Sequence, residues 1–103
     1  MLGQVKPSAN TLTTAYTAPA GSSAIISTIA VCNLGPAPTT YRIAVRIGGA
    51  SISDEDYIAY DASIAPQDTA TFTMGITLAT TDVVSVESLS GQVSFNLFGS
   101  EIA

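Results

Sequence analysis

The feature that most constrains this chain is the alternation of apolar and polar residues in short runs. In residues 39–47, for example, Tyr41 and Ile43 alternate with Arg42 and Arg46. Successive side chains of a strand point to opposite faces, so this period of two indicates a strand with one buried face. Turn residues separate such runs about every 8–12 residues, and no long run has the spacing of an amphipathic helix. The pattern therefore predicts a chain built from strands.

Roughly seven or eight strands are predicted from these runs and their turn signals. The predicted strands cover residues 11–16, 24–33, 39–47, 57–65, 69–78, 83–87 and 92–98. The apolar run 24–33 suits a central strand that is covered on both faces. In the strand at 69–78, the residues predicted to face the core are Phe72, Met74, Ile76 and Leu78. This count favours an all-β antiparallel two-sheet β-sandwich, of either the jelly-roll or the immunoglobulin-like type.

The first residues differ in composition from the rest of the chain. Residues 1–20 are rich in Thr, Ala and Pro, and Pro7 and Pro19 exclude a continuous helix. We predict an extended N-terminal arm here, with a short strand at 11–16, and a β-sandwich domain at 21–103. The arm either packs on its own domain or reaches a neighbouring molecule.

The charge of the chain excludes two classes of partner. Only 11% of the residues are charged, there are three cations, and the formal net charge is −5. Phosphate backbones and anionic membranes both attract clusters of Lys and Arg, which this chain does not have. We therefore expect neither nucleic acid nor membrane as a partner.

The chain has little with which to perform catalysis. It contains no His and a single Cys, Cys32, which follows the apolar residues 29–31. A nucleophilic thiol needs a nearby base, so the simpler interpretation of Cys32 is a small buried apolar residue. We predict no enzymatic activity, no catalytic residue, no bound metal and no cofactor.

Two groups of charged residues have alternative interpretations. Asp54, Glu55 and Asp56 form either a solvated acidic loop, opened by one short turn at residues 53–57, or a Ca²⁺ site, although their spacing is not that of an EF-hand. Arg42 and Arg46 share the outer face of a predicted strand. They either contact a partner or form salt bridges with the acidic residues at 54–56.

The tyrosines allow a test of one binding function. Tyr57 and Tyr60 are three residues apart in a predicted strand, which places them on opposite faces. They would then not form one sugar-binding platform. We predict instead that Tyr41 belongs to the core and that the other tyrosines cover sheet edges.

Several segments together resemble those of a known class of proteins. The segments are 2–7, 11–20, 33–35, 39–46, 78–86 and 93–102. In these segments the chain resembles small virion structural proteins of tailed bacteriophages, including those of cyanobacterial phages. The resemblance implies a β-sandwich module on the capsid or tail, made in the cytoplasm of the host cell and assembled into the virion.

The expected function is that of a capsid cement or decoration protein, which bridges and stabilises major capsid protein subunits and forms a homo-oligomer. The alternative is a tail, baseplate or fibre component that contacts the host surface and binds other tail proteins. The predicted interaction residues are Val5, Leu12, Tyr16, Arg42, Arg46, Asp54, Glu55, Asp56 and Tyr57. If Ile25, Ile29 or Phe98 is exposed, it is expected to mark a subunit interface.

Overall fold

The computed structural model describes residues 2–73 and 75–102. Among these residues the chain forms nine β-strands and no α-helix. The strands are β1 (Gly3–Val5), β2 (Thr13–Thr17), β3 (Ser23–Asn33), β4 (Thr39–Arg46), β5 (Tyr57–Ile64), β6 (Thr69–Phe72), β7 (Ile76–Leu78), β8 (Val83–Ser88) and β9 (Val93–Ile102). Two short 3₁₀ turns, Ile47–Gly49 and Asp54–Asp56, lie between β4 and β5. The predicted all-β class is confirmed.

The strands form two antiparallel sheets that pack face to face as a β-sandwich. The five-stranded sheet has the order β1-β9-β3-β6, and β7 pairs with β3 next to β6. The four-stranded sheet has the order β2-β8-β4-β5. Of the strands that follow one another in the chain, only β4 and β5 pair with each other among the described residues. At most other connections the chain therefore crosses from one sheet to the other.

The core lies between the two sheets and contains the apolar residues of their inner faces. The largest apolar side chains with almost no exposed surface are Phe95, Ile26, Ile29, Ile43, Leu78, Leu97, Val31, Val84, Val86 and Val93. Tyr41, from the four-stranded sheet, packs edge-on against Phe72 and Phe95 of the other sheet, with ring centroids 6.1 Å apart in both pairs. These contacts hold the sheets together in the geometry that aromatic rings prefer.

The segment predicted as one strand at 69–78 is instead two strands, β6 and β7. Gly75, between them, has a φ of 59°, a conformation that glycine adopts without steric cost and that interrupts the strand. Met74 lies outside the described residues. The other members of the predicted inward set do face the core: Phe72, Ile76 and Leu78.

The strand β3 is covered on one face only, which corrects the prediction for Cys32. Cys32 pairs across the sheet with Ser94 and Thr69 and is half-buried. Its neighbours Val31 and Asn33 are buried, so Cys32 points away from the core. The apolar run in this strand includes small residues on the outer face, and composition alone does not separate them from core residues.

Residues 3–17 contribute one strand to each sheet. β1 pairs with β9, and β2 pairs with β8 at the edge of the four-stranded sheet. Tyr16 and Ala18 belong to the core. The two predicted segments, 1–20 and 21–103, thus share both sheets, and the described part of residues 1–20 packs on its own domain.

Candidate binding surfaces

The edge of the four-stranded sheet is irregular where β4 pairs with β5. Ala44 pairs with Tyr57, and Tyr41 pairs with Ala62, so β5 advances by five residues while β4 advances by three. Two extra residues therefore bulge out of β5, and one of them is Asp61, whose φ is 52°. Each extra residue changes the face to which the following side chains point.

The bulge between Tyr57 and Ala59 brings Tyr57 and Tyr60 to the same face, so the prediction of opposite faces is wrong. Their ring centroids are 4.8 Å apart, in an edge-to-face arrangement. The guanidinium carbon Cζ of Arg42 lies 4.1 Å from the ring centroid of Tyr60 and 5.9 Å from that of Tyr57. A cation at this distance from an aromatic face is attracted by the ring quadrupole.

Arg42 also forms a two-point ion pair with Asp61. Its Nε donates to Oδ1 of Asp61 at 2.7 Å, and its Nη2 donates to Oδ2 at 3.2 Å. These hydrogen bonds lower the pKa of Asp61 and raise that of Arg42. The salt bridges considered with the residues at 54–56 are not formed, because the second bulge places Asp61 beside Arg42. We call Arg42, Tyr57, Tyr60 and Asp61 the Arg42 cluster.

Two shallow depressions meet at the Arg42 cluster. The first, of about 240 Å³, is lined by residues that include Asn10, Thr40, Arg42, Asp61 and Glu87. The second, of about 370 Å³, is lined by Asp54, Tyr57 and Tyr60. Three carboxylates and one guanidinium thus surround the paired depressions. The local charge is negative, although the central side chain is an arginine.

Tyr60 and Asp61 were not predicted as site residues. Asp61 could have indicated this arrangement from the sequence, since Asp is one of the few residues that adopt a positive φ readily. A left-handed residue inside a predicted strand indicates a bulge, and a bulge changes which side chains share a face.

Arg46 and the acidic turn do not join the cluster through side-chain contacts. Nη1 of Arg46 donates to the carbonyl oxygen of Ala50 at 3.3 Å. Asp56 closes the 3₁₀ turn, since its Oδ2 accepts two hydrogen bonds from Ser53: one from the backbone N–H at 3.0 Å and one from the Ser53 hydroxyl at 3.4 Å. Asp54 and Glu55 are exposed. Within residues 2–73 and 75–102, no three His, Cys, Asp or Glu side chains come together as metal ligands would.

The three predicted contact residues of the N-terminal segment are only partly on the surface. Val5 and Leu12 are half-buried, and Val5 packs against the core. Tyr16 is a core residue, which corrects its assignment to a surface contact. Its hydroxyl donates to Oε2 of Glu101 at 2.6 Å, and burial together with this hydrogen bond raises the pKa of Tyr16 to about 12.

The strands of the five-stranded sheet contribute no charged side chain to its outer face among the described residues. Lys6, which follows β1, lies beside this face, in a depression that Gln4, Ser94 and Asn96 also line. We call this outer face the uncharged face, and it consists of Gln4, Ser23, Ile25, Thr28, Ala30, Cys32, Thr69, Thr71, Thr77, Ser94, Asn96, Phe98, Ser100 and Ile102. The one charged residue in these strands, Glu101, pairs with the buried Ala24 and so points to the opposite side.

Three large apolar side chains interrupt this polar surface, and the most exposed of them is Ile102, at 50%. Ile25 is 39% exposed and Phe98 is 38% exposed, whereas Ile29 is fully buried in the core. Exposed aromatic and aliphatic residues on a face whose strands carry no charged side chain are typical of surfaces that meet a partner.

Comparison of the chain with models of protein families, with curated proteins and with solved structures found no match. Among the described residues, no helix has the length and apolar character needed to cross a membrane.

Proposed function

We propose that this protein is a virion structural protein of a bacteriophage, and that it acts as a capsid cement or decoration protein. The observation that supports this proposal is the uncharged face. Burying a charge in an interface costs free energy unless a partner compensates it, and the strands of this face contribute no charged side chain, with Lys6 at its border. It can dock flat on a major capsid protein subunit, and on further copies of this chain in a homo-oligomer.

The size of the uncharged face is suited to such a contact. Four strands at a spacing of about 4.8 Å give a width of about 19 Å, and the length of β3 gives about 36 Å. The resulting area of about 700 Å² is close to the roughly 800 Å² that each partner buries in a stable interface. A repeated contact of this size, made by many copies on one shell, would stiffen the shell additively.

The order of the strands supports a jelly-roll type of sandwich. If β6 and β7 are counted as one interrupted strand, each sheet has four strands, and β4–β5 is the one hairpin between described neighbours. In the immunoglobulin type, several consecutive strands would pair within a sheet. Jelly rolls are found in viral capsid proteins and in lectins, which agrees with a virion role, although a fold does not determine a function.

The alternative function is a tail, baseplate or fibre component that contacts the host surface. The Arg42 cluster favours it, because aromatic and Arg side chains are enriched at recognition surfaces. The cluster lies on the other sheet, away from the uncharged face. It would therefore stay accessible in a molecule that is docked by the uncharged face.

Densitometry of purified particles tests the virion role and separates the two functions. For cement, we expect a copy number equal to that of the major capsid protein or a simple fraction of it. A tail part would be present in far fewer copies. Absence of the protein from washed particles would contradict both functions.

The role of the uncharged face is tested with Asn96→Asp. Oδ1 of Asn96 accepts a hydrogen bond from Nε2 of Gln4 at 2.9 Å, and an aspartate would keep this acceptor while adding one charge. We expect binding to particles that lack the protein to weaken about 30-fold, since the added carboxylate loses its water in the interface even with Lys6 in the same depression, which costs about 2 kcal/mol or more.

The matched control for this variant is Asn10→Asp. Asn10 is exposed and lines the first depression, so the same charge is added away from the uncharged face. The control should bind particles as the wild type does. Equal binding by both variants would exclude the uncharged face as the docking surface.

A further inference from the structure

We infer that the Arg42 cluster and its two depressions form a binding site for a neutral saccharide. This inference goes beyond a structural role in the virion, since it holds for a shell protein and for a tail protein alike. It depends on the two bulges of β5, which assemble on one face the residues that a regular strand would have separated.

The first step is the fixed position of Arg42. Its Nε and Nη2 each give one hydrogen to Asp61, and its guanidinium plane is held over Tyr60. Both hydrogens of Nη1 and the second hydrogen of Nη2 have no acceptor among the described residues. They are held in place before a ligand arrives, which reduces the entropy lost on binding.

The second step is the set of unused polar groups in the first depression. The side chains of Asn10, Thr40 and Glu87 line it and form no hydrogen bond with other described residues. Together with Arg42 they offer both donors and acceptors within one small space. Neighbouring hydroxyls of a sugar ring both donate and accept, so they match such a mixed set.

The third step is the aromatic surface. Tyr60 is 58% exposed, and Arg42 can cover only one side of its planar ring. The C–H face of a pyranose packs on an exposed aromatic ring in the same way as other apolar surfaces do. Tyr57 is half-buried and forms an edge-to-face pair with Tyr60, which limits the motion of this platform.

The fourth step is the sign of the local charge. Asp54, Asp61 and Glu87 outnumber Arg42, and the Asp61 carboxylate already neutralises the guanidinium. An anionic ligand such as a phosphate or a sialic acid would meet like charges at close range. The site therefore selects an uncharged polyol, and its shallow shape suits one or two sugar rings bound with millimolar affinity.

The experiment is a titration of the ¹⁵N-labelled full chain with neutral sugars, followed by NMR. The probes are glucose, galactose, mannose and N-acetylglucosamine, with sialic acid as an anionic comparison. We expect at least one neutral sugar to shift the amides of residues 40–42, 57–61 and 87–89 with a Kd of about 1–10 mM. Because the chain has no Trp, tyrosine fluorescence provides a second signal, to which Tyr57 and Tyr60 of the site contribute along with Tyr16 and Tyr41 of the core.

Two variants and a matched control localise the binding. Tyr60→Ala should weaken it at least about tenfold. Arg42→Lys should weaken it as well, because lysine keeps the charge but has neither the planar fork nor the stacking. Phe98→Ala removes an exposed aromatic from the uncharged face and should leave sugar affinity unchanged. The dispersion of the amide spectrum checks that each variant is folded.

Three results would overturn the inference: no shift with any neutral sugar up to about 100 mM, an unchanged affinity in Tyr60→Ala, or equal binding of sialic acid. None of these results would bear on the proposed virion role, which is measured by copy number in particles. Conversely, absence from particles would leave the sugar titration valid.

Discussion

Replacing Asn33 by aspartate tests how one end of the sandwich is closed. Asn33 is the last residue of β3 and is 1% exposed. Its Nδ2 donates to the carbonyl oxygens of Ala37 at 2.9 Å and of Ala65 at 3.1 Å, and its Oδ1 accepts from the N–H of Gly35 at 3.0 Å. One buried amide therefore ties the loop after β3 and the end of β5 to the five-stranded sheet.

The size of the expected loss of folding stability in Asn33→Asp follows from these contacts. Asn33→Asp keeps the acceptor for Gly35 but removes both donated hydrogen bonds, each worth about 1 kcal/mol net. It also leaves two carbonyl oxygens facing a carboxylate, and an unsatisfied buried polar group costs about 1–3 kcal/mol. We expect the free energy of unfolding to fall by about 3–5 kcal/mol at pH 7, which is a large effect for a single substitution.

The loss should also depend on pH. Burial next to two carbonyl oxygens raises the pKa of the introduced carboxyl group above its unfolded value of about 3.9. A group whose pKa is raised on folding favours the folded state at low pH, and this contribution disappears as the pH rises through the folded pKa. The difference between variant and wild type should therefore be smaller near pH 4 than at pH 7.

Urea unfolding, followed by far-UV circular dichroism at both pH values, measures the free energy of unfolding. The matched control is Asn96→Asp, the same chemical change on the exposed outer face, which should alter stability by at most about 0.5 kcal/mol. If the free energy of unfolding of Asn33→Asp falls by less than about 1 kcal/mol at pH 7, or if the decrease does not change with pH, the buried amide does not close this end of the sandwich as described.

Three further predictions concern pH and packing. Spectrophotometric titration should show one tyrosine with a pKa of about 12, and this titration should be absent in Tyr16→Phe. The contribution of Tyr16 to the free energy of unfolding is complete below about pH 10 and falls as the pH rises toward about 12. NMR titration should give Asp61 a pKa below its ordinary value, and Arg42→Ala should restore the ordinary value. The ion pair stabilises the fold above about pH 4, and this contribution is lost as the pH falls through the lowered pKa. An unchanged titration of Asp61 in the variant would contradict the ion pair. Gly99→Ala should destabilise by about 2–3 kcal/mol, because a Cβ there would collide with the carbonyl oxygen of Ile25, and an unchanged urea midpoint would exclude this contact.

The long strands were predictable because their pattern is local. β3, β4, β8 and β9 each contain enough alternating apolar residues to show which face is buried. β1 was not predicted, because it is three residues long and begins with Gly3. Its strand conformation comes from hydrogen bonds to β9, which is some ninety residues away in the chain.

The Arg42 cluster was not predictable by the rule of alternation, since that rule assumes an unbroken pleat. One extra residue between Tyr57 and Ala59 reverses the face of Tyr60, a second one between Ala59 and Ala62 restores the original alternation, and apolar periodicity does not record such changes. The uncharged face could be anticipated in part from the sequence, because residues 24–33 and 92–98 contain no charged residue. The sequence did not show, however, that these two runs are neighbours in one sheet.

The central position of β9 determines when the protein can fold during its synthesis. The four-stranded sheet is complete once Ser88 has been made, but the five-stranded sheet lacks its inner strand until residues 93–102 have emerged from the ribosome. Until then, only β3, β6 and β7 of the opposing sheet are available to cover the apolar face of the four-stranded sheet. A partly made chain in this state is prone to aggregate, and chaperones would recognise it. The hydrophobic core is therefore completed late, when β9 enters between β1 and β3 and supplies Phe95 and Leu97.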